Sequence, residues 1–140
     1  MGKVQILAVL TMDGCLSSEL YDKAHQDLCL DRCGLDEIRK KALYRVTPDY
    51  SISMLHEWRK DGTNIRYLAE ATPDTADYIN GLLRMHAVDE IILYTVPFIS
   101  GSGRHFFKSA LPEQHWTLSS LKSYPNGVCR IIYILDKKAR

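Results

Sequence analysis

The stretch from Val88 to Phe107, VDEIILYTVPFISGSGRHFF, constrains the chain more than any other. It opens on an acidic pair, Asp89-Glu90, read as closing a helical segment. Ile91-Ile92-Leu93-Tyr94-Thr95-Val96 follows, apolar and rich in β-branched residues. Pro97 marks where sheet pairing weakens, because proline has no N–H to donate. Gly101-Ser102-Gly103 reads as a tight turn, and Arg104-His105-Phe106-Phe107 returns with aromatic weight. A short apolar run bounded by turn signals reads as a strand buried on both faces. The expectation is a central strand with functional loops at its carboxyl end.

The rest of the chain has room to bury such a strand. With 140 residues, 46% of them hydrophobic, it is expected to form a single domain over residues 1–140. A net charge of +1 gives no footprint for nucleic acid or an anionic membrane. No apolar run approaches the roughly 18 residues of a membrane span. The start, MGKVQILAVLTMDG, reads as a first strand rather than a signal peptide. The four cysteines, Cys15, Cys29, Cys33 and Cys129, form no C-x-x-C pair. They read as reduced thiols, which points to the cytoplasm.

Lys3 to Leu10 reads as a strand, followed by an Asp13-Gly14 turn. Ser17-Ser18-Glu19 starts a helix, with Leu20, Ala24 and Leu28 as its apolar spacing and Gly34 as its end. Leu35 to Leu43 is a second short helix, anchored by Leu35, Ile38 and Leu43. Tyr44 to Asp49 is a short strand or a loop, and Pro48 argues against a central place. Ser51 to Asp61 is a helix with Ile52, Leu55 and Trp58 on one face. Asn64 to Ala69 is a strand. Thr72 then caps a helix with Pro73 at its first position. That helix runs to about His86 and buries Ala76, Ile79, Leu82, Leu83 and Met85. His115 to Lys122 and Val128 to Asp136 are strands joined at Tyr124-Pro125-Asn126-Gly127. Strand–helix–strand crossovers imply parallel pairing. The fold class is therefore α/β: a mixed, mainly parallel sheet of about five to seven strands, flanked by helices, with a C-terminal antiparallel hairpin.

Several groups are candidates for chemistry. Asp13-Gly14 lies at the carboxyl end of the first strand, where open α/β sheets bind ligands, though Asp-Gly is also an ordinary turn. Gly101-Ser102-Gly103 is either an amide nest for an anion or a plain turn, with Arg104 and His105 beside it. His25, Cys29 and Cys33 share one face if their helix continues that far, but three ligands on one element make a poor zinc site, and no metal is expected. Glu19, Asp22 and Asp27 read as a solvated helix face. Trp58 and Trp116 read as core or interface groups.

Three passages carry a family resemblance across about half of the chain. ILAVLTMDG resembles an opening strand that ends in Ser-Leu-Asp-Gly, with Thr11-Met12 in place of Ser-Leu. GLLRMHAVDEIILYTVPFISGSGRHFF is similar to a helix, acidic pair, strand, proline and Gly-x-Gly-x-x-Phe turn. The final hairpin matches two closing antiparallel strands in position. Together they resemble the dihydrofolate reductase-like fold, and within it the RibD C-terminal family, the reductase domain of riboflavin biosynthesis. The resemblance implies an NADPH-dependent reductase acting on a small molecule, pterin-like or pyrimidine-ribityl, and a homodimer. It implies Asp13 as catalytic residue and Thr11 and Gly14 as substrate contacts, and a helix acid anchoring a pterin, a role for which none of Glu19, Asp22 and Asp27 is singled out. It implies Ala8, Glu70, Ala71, Thr72, Thr75, Gly101, Ser102 and Gly103 around the cofactor. The sequence departs from the family where a Glu-Gly-Gly turn holds the pyrophosphate: Glu70-Ala71-Thr72-Pro73-Asp74 keeps the glutamate and lacks both glycines. The alternative reading is a relative that binds a ligand or protein partner without redox chemistry.

Overall fold

The computed structural model describes residues 2–16, 33–60, 64–97, 99, 101, 105–108 and 110–135. Six strands, β1 (Lys3–Leu10), β2 (Tyr44–Arg45), β3 (Arg66–Glu70), β4 (Glu90–Thr95), β5 (Trp116–Ser123) and β6 (Cys129–Leu135), form one sheet in the order β2-β3-β1-β4-β6-β5. The β2–β3, β3–β1 and β1–β4 pairs are parallel, and β4–β6 and β6–β5 are antiparallel. The described helices are α1 (Leu35–Lys41), α2 (Ile52–Lys60) and α3 (Ala76–Arg84). The expected mixed sheet, central β4 and closing hairpin are all present. β2 sits at the edge, as Pro48 required. The helix read from Ser17, together with His25, Cys29, Glu19, Asp22 and Asp27, lies outside the described residues.

Alternation along the strands builds two apolar layers. Val4, Ile6, Ala8 and Leu10 of β1 join Tyr67, Ala69 and Ile91 beneath α2 and α3. Leu7, Leu68, Ile92 and Tyr94 face the other way, onto Cys33, Leu35 of α1 and Val128. Parallel strands covered on both faces read as continuous apolar runs, which is why β1 and β4 stood out in sequence. Tyr94 is wholly buried and its hydroxyl donates to the Cys33 carbonyl at 2.8 Å. Burial, reinforced by Tyr124 and opposed by Arg130, pushes its pKa up to about 12. A tyrosine raised above its unfolded value of about 10 favours the fold in its neutral form. That contribution is complete below about pH 10 and is lost as pH rises towards 12. Urea midpoints measured from pH 8 to 11.5 should fall above pH 10, and Tyr94→Phe should flatten that fall.

Several local details differ from the sequence reading. Asp89 and Glu90 do not close a helix. Asp89 precedes β4, and Glu90 begins it, accepting from Gln5 Nε2 at 3.1 Å. Leu43 lies beyond α1 and is exposed, because α1 ends at Lys41. Met85 is 56% exposed, since α3 ends at Arg84. His86 takes φ 56 just beyond, and its N–H and that of Ala87 return to Leu83 O and Leu82 O. This is a Schellman stop with histidine in the left-handed position where glycine is usual. The α3 start also shifts: Ala76 follows a turn over residues 73–75, so Pro73 is not its first residue. The hairpin is as expected: Gly127 N–H reaches Tyr124 O at 3.0 Å, with φ 91 at Gly127. A Cβ there would also meet Pro97 Cγ at 3.0 Å.

Candidate functional site

The connection from β1 reaches the sheet face that α1 covers, whereas α3, following β3, packs on the opposite face. Neighbouring strands whose connections leave on opposite faces open a crevice at their carboxyl ends. Here that crevice lies between β1 and β3. The last β1–β3 pair is Leu7 with Glu70, and Ala71 N–H still reaches Leu7 O at 2.8 Å. β1 then continues to Leu10 beside β4, leaving a step above the end of β3.

The β1 side is a closed knot of polar bonds. Thr11 Oγ1 donates to Asp13 Oδ1 and accepts from Cys15 N–H at 3.1 Å. Gly14 N–H donates to Thr11 O at 3.0 Å, and φ 79 at Gly14 makes the turn possible. The second oxygen of Asp13 accepts Gly101 N–H at 3.0 Å. The loop after β4 is thus brought onto the turn after β1, joining two candidates that stand 88 residues apart. Phe106 N–H donates to Gly14 O at 3.2 Å, Cys15 bridges His105, and Phe106 is wholly buried. A Cβ built on Gly101 would meet nothing within 4 Å among the described residues. Ser102, Gly103 and Arg104 lie outside the described residues.

The β3 side is shaped by side chains where glycines were expected. Thr72 N–H donates to Thr75 Oγ1 at 2.8 Å, and Thr75 N–H to Thr72 Oγ1 at 3.2 Å. This reciprocal pair has the form of a capping box. Thr75 Oγ1 also lies 2.8 Å from Glu70 O, and Ala76 N–H donates to Thr72 O. The Glu70 carboxylate accepts from Arg39 Nε at 2.6 Å and Arg45 Nη1 at 2.8 Å. The Glu70 carboxylate thus ties α1 and β2 to the end of β3.

The structure therefore brings Thr11, Asp13, Gly14 and Gly101 into one cluster, and Glu70, Ala71, Thr72 and Thr75 into a second across the step. Ala8 belongs to neither: it is wholly buried in the core beneath α2 and α3. Sequence reasoning missed Arg39 and Arg45, for which no spacing signal exists. It also missed Asn80, which is wholly buried on α3. Its Nδ2 donates to Phe106 O and Ala76 O, each at 2.8 Å, and its Oδ1 accepts Lys108 N–H at 3.0 Å. The missed signal was a polar residue inside the stripe of Ala76, Ile79 and Leu83. Cys15, Cys33 and Cys129 are free thiols. Among the described residues no group of three histidine, cysteine or acidic side chains is placed to hold a metal, and no helix is long and apolar enough to cross a membrane.

No protein-family model and no curated protein sequence matches the chain. Solved structures do. A Shewanella sp. PV-4 protein assigned to riboflavin biosynthesis superposes with a TM-score of 0.62 at 12% identity, over 96% of this chain and 99% of that one. A diaminohydroxyphosphoribosylaminopyrimidine deaminase/5-amino-6-(5-phosphoribosylamino)uracil reductase from Thermotoga maritima gives 0.61 at 10% identity, over 96% of this chain and 57% of that one. Dihydrofolate reductase from Enterococcus faecalis, complexed with NADP(H), gives 0.57 at 11% identity, covering 96% and 97%. The chain has the dihydrofolate reductase-like fold that these structures share. At this identity the likeness speaks for the fold and leaves activity to be argued from the site.

Proposed function

We propose that the chain is an NADPH-dependent reductase of the dihydrofolate reductase-like fold, acting at the β1–β3 crevice on a small pterin-like or pyrimidine-ribityl substrate. The observation that carries this reading is the crevice itself, with Asp13 pinned at one rim and two guanidiniums gathered at the other. When bound, NADPH supplies the hydride. The chain supplies placement and electrostatics. Thr11 and Asp13 fix the β1 turn, where Asp13 serves as the anchored acid of the site. Gly14 leaves the backbone open to a close approach, with only His105 Nδ1 near its missing Cβ, at 3.7 Å. The Thr72 hydroxyl, positioned by Thr75, replaces the missing glycine amides as a partner for phosphate, with Arg39 and Arg45 beside Glu70. The Gly101 turn flanks the same space. Phe106 excludes water from beneath the turn.

Thr72→Asp tests this placement while keeping a side-chain acceptor for Thr75 N–H in the turn before α3. A carboxylate there repels phosphate, and about 1.4 kcal/mol of repulsion weakens binding tenfold. NADPH fluorescence titrations of wild type and variant should therefore differ by about tenfold or more, and equal affinities would show the phosphate site to be misplaced.

A second reading has its own observation. The Thr72–Thr75 box occupies the amides of both residues, and exposed Asp74 adds a negative charge beside it. On that reading the chain binds a ligand or partner without redox chemistry, and NADPH has no measurable affinity. The first reading includes a cytoplasmic homodimer. It is supported by the free thiols and by edge strand β5, which leaves Leu118 and Leu121 exposed. Sedimentation should show a dimer that Leu121→Lys converts to a monomer; a wild-type monomer would remove this part of the proposal.

A further inference from the structure

A cavity of about 220 Å³ lies away from the crevice, between α1 and the sheet. Gly34, Glu37, Ile38 and Lys41 form its helical wall. The sheet side includes Gln5, Arg66 and Glu90, near the amino ends of β1, β3 and β4, and Arg130 on β6. Ile92 and Ile132 form an apolar floor. Drug-sized ligands usually occupy roughly 300–1,000 Å³, so this space suits a smaller molecule and excludes a dinucleotide.

Its charge is unbalanced. Lys41, Arg66 and Arg130 face Glu37 and Glu90, and Glu90 already accepts from Gln5. None of the three cations takes part in an ion pair among the described residues. Arg130 is the most telling. Its Nε is buried and has no hydrogen-bond partner. Its Nη1 lies 3.0 Å from where a Cβ on Gly34 would stand, and φ 83 at Gly34 makes glycine doubly suited there. A part-buried guanidinium without a counter-ion is costly, and an oxyanion is its best-matched partner.

We propose that this cavity binds a small organic anion, its carboxylate or phosphate on Arg130 and its carbon skeleton on Ile38, Ile92 and Ile132. The site is independent of the crevice and of the reductase reading. Lys41 on the helical wall and Arg66 on the sheet side favour an anion of more than one charge.

Amide NMR titrations of the full chain with sodium succinate, and separately with sodium phosphate, test this against sodium chloride at matched ionic strength. Saturable shifts are expected at Gly34, Ile38, Ile92 and Ile132, with a dissociation constant below about 10 mM. The probe that saturates first identifies the carboxylate or phosphate source. Arg130→Met should weaken binding at least tenfold, whereas Thr72→Asp should leave it unchanged. If Arg130→Met does not fold, Lys41→Met with Arg66→Met serves instead and should weaken binding severalfold. Shifts matched by chloride, no saturable shift at Gly34, Ile38, Ile92 and Ile132, or affinity unchanged in the cavity variants would overturn the proposal.

Discussion

Arg59→Ala is expected to lower the unfolding free energy by about 3–5 kcal/mol, the usual cost of removing one partner from a buried ion pair. Arg59 is 7% exposed although it sits in α2. Its Nε and Nη2 grip Asp89 at 2.9 and 2.6 Å, and its Nη1 donates to His86 O at 2.7 Å. Asp89 Oδ2 in turn accepts Val4 N–H at 2.9 Å, while Asp89 N–H donates to Val4 O. One guanidinium thus joins α2, the stop of α3, the entry to β4 and the start of β1. Removing it leaves a largely buried carboxylate without its guanidinium. Urea unfolding followed by circular dichroism reads the loss. Asp89→Asn should cost much less in the Arg59→Ala background than in wild type, since neighbours in one network are not additive. A loss under 1 kcal/mol would mean that water replaces the guanidinium freely.

Asn80→Leu is expected to cost about 2–4 kcal/mol. Leucine keeps the volume but leaves the buried Phe106 O and the part-buried Lys108 N–H without this partner, at about 1–3 kcal/mol for each fully buried group. The effect reaches the crevice. Asn80 holds Phe106, and Phe106 N–H holds Gly14 O at the β1 turn. Limited proteolysis should therefore cut the Asn80→Leu variant within residues 97–110 faster than wild type. NADPH affinity should drop in the same variant at temperatures where it remains folded. An unchanged digestion pattern would detach Asn80 from the loop.

These two residues also mark where sequence reading stops. The β4 run, the Pro48 edge and the Asn126-Gly127 turn were legible because each rests on a local rule: apolar continuity, a missing donor, a left-handed residue. Arg59 and Asn80 occupy inward positions of otherwise apolar stripes, beside Leu55 and Ile79. A pattern that scores only apolar residues passes over them. Their partners lie 30 and 26–28 residues away, and such pairings exist only once the sheet has formed. The same holds at the crevice. Asp13-Gly14 and Gly101 were each visible as turns, but the bond between them follows from folding β1 beside β4. Glu70 was legible as a candidate, while its grip by Arg39 and Arg45 was not, since α1 and β2 meet β3 only in the folded sheet. The left-handed stop at His86 went unread because no glycine announces it.

The central claim is that the β1–β3 crevice holds NADPH, and stability linkage measures this most directly. A ligand that binds only the folded chain raises its stability by RT ln(1 + [L]/Kd), about 2.7 kcal/mol at a hundredfold excess over Kd. Unfolding transitions recorded over increasing NADPH should move steadily to higher denaturant, with a smaller displacement for Thr72→Asp. A transition that does not move at millimolar NADPH would contradict the reductase account and leave the ligand-binding reading standing.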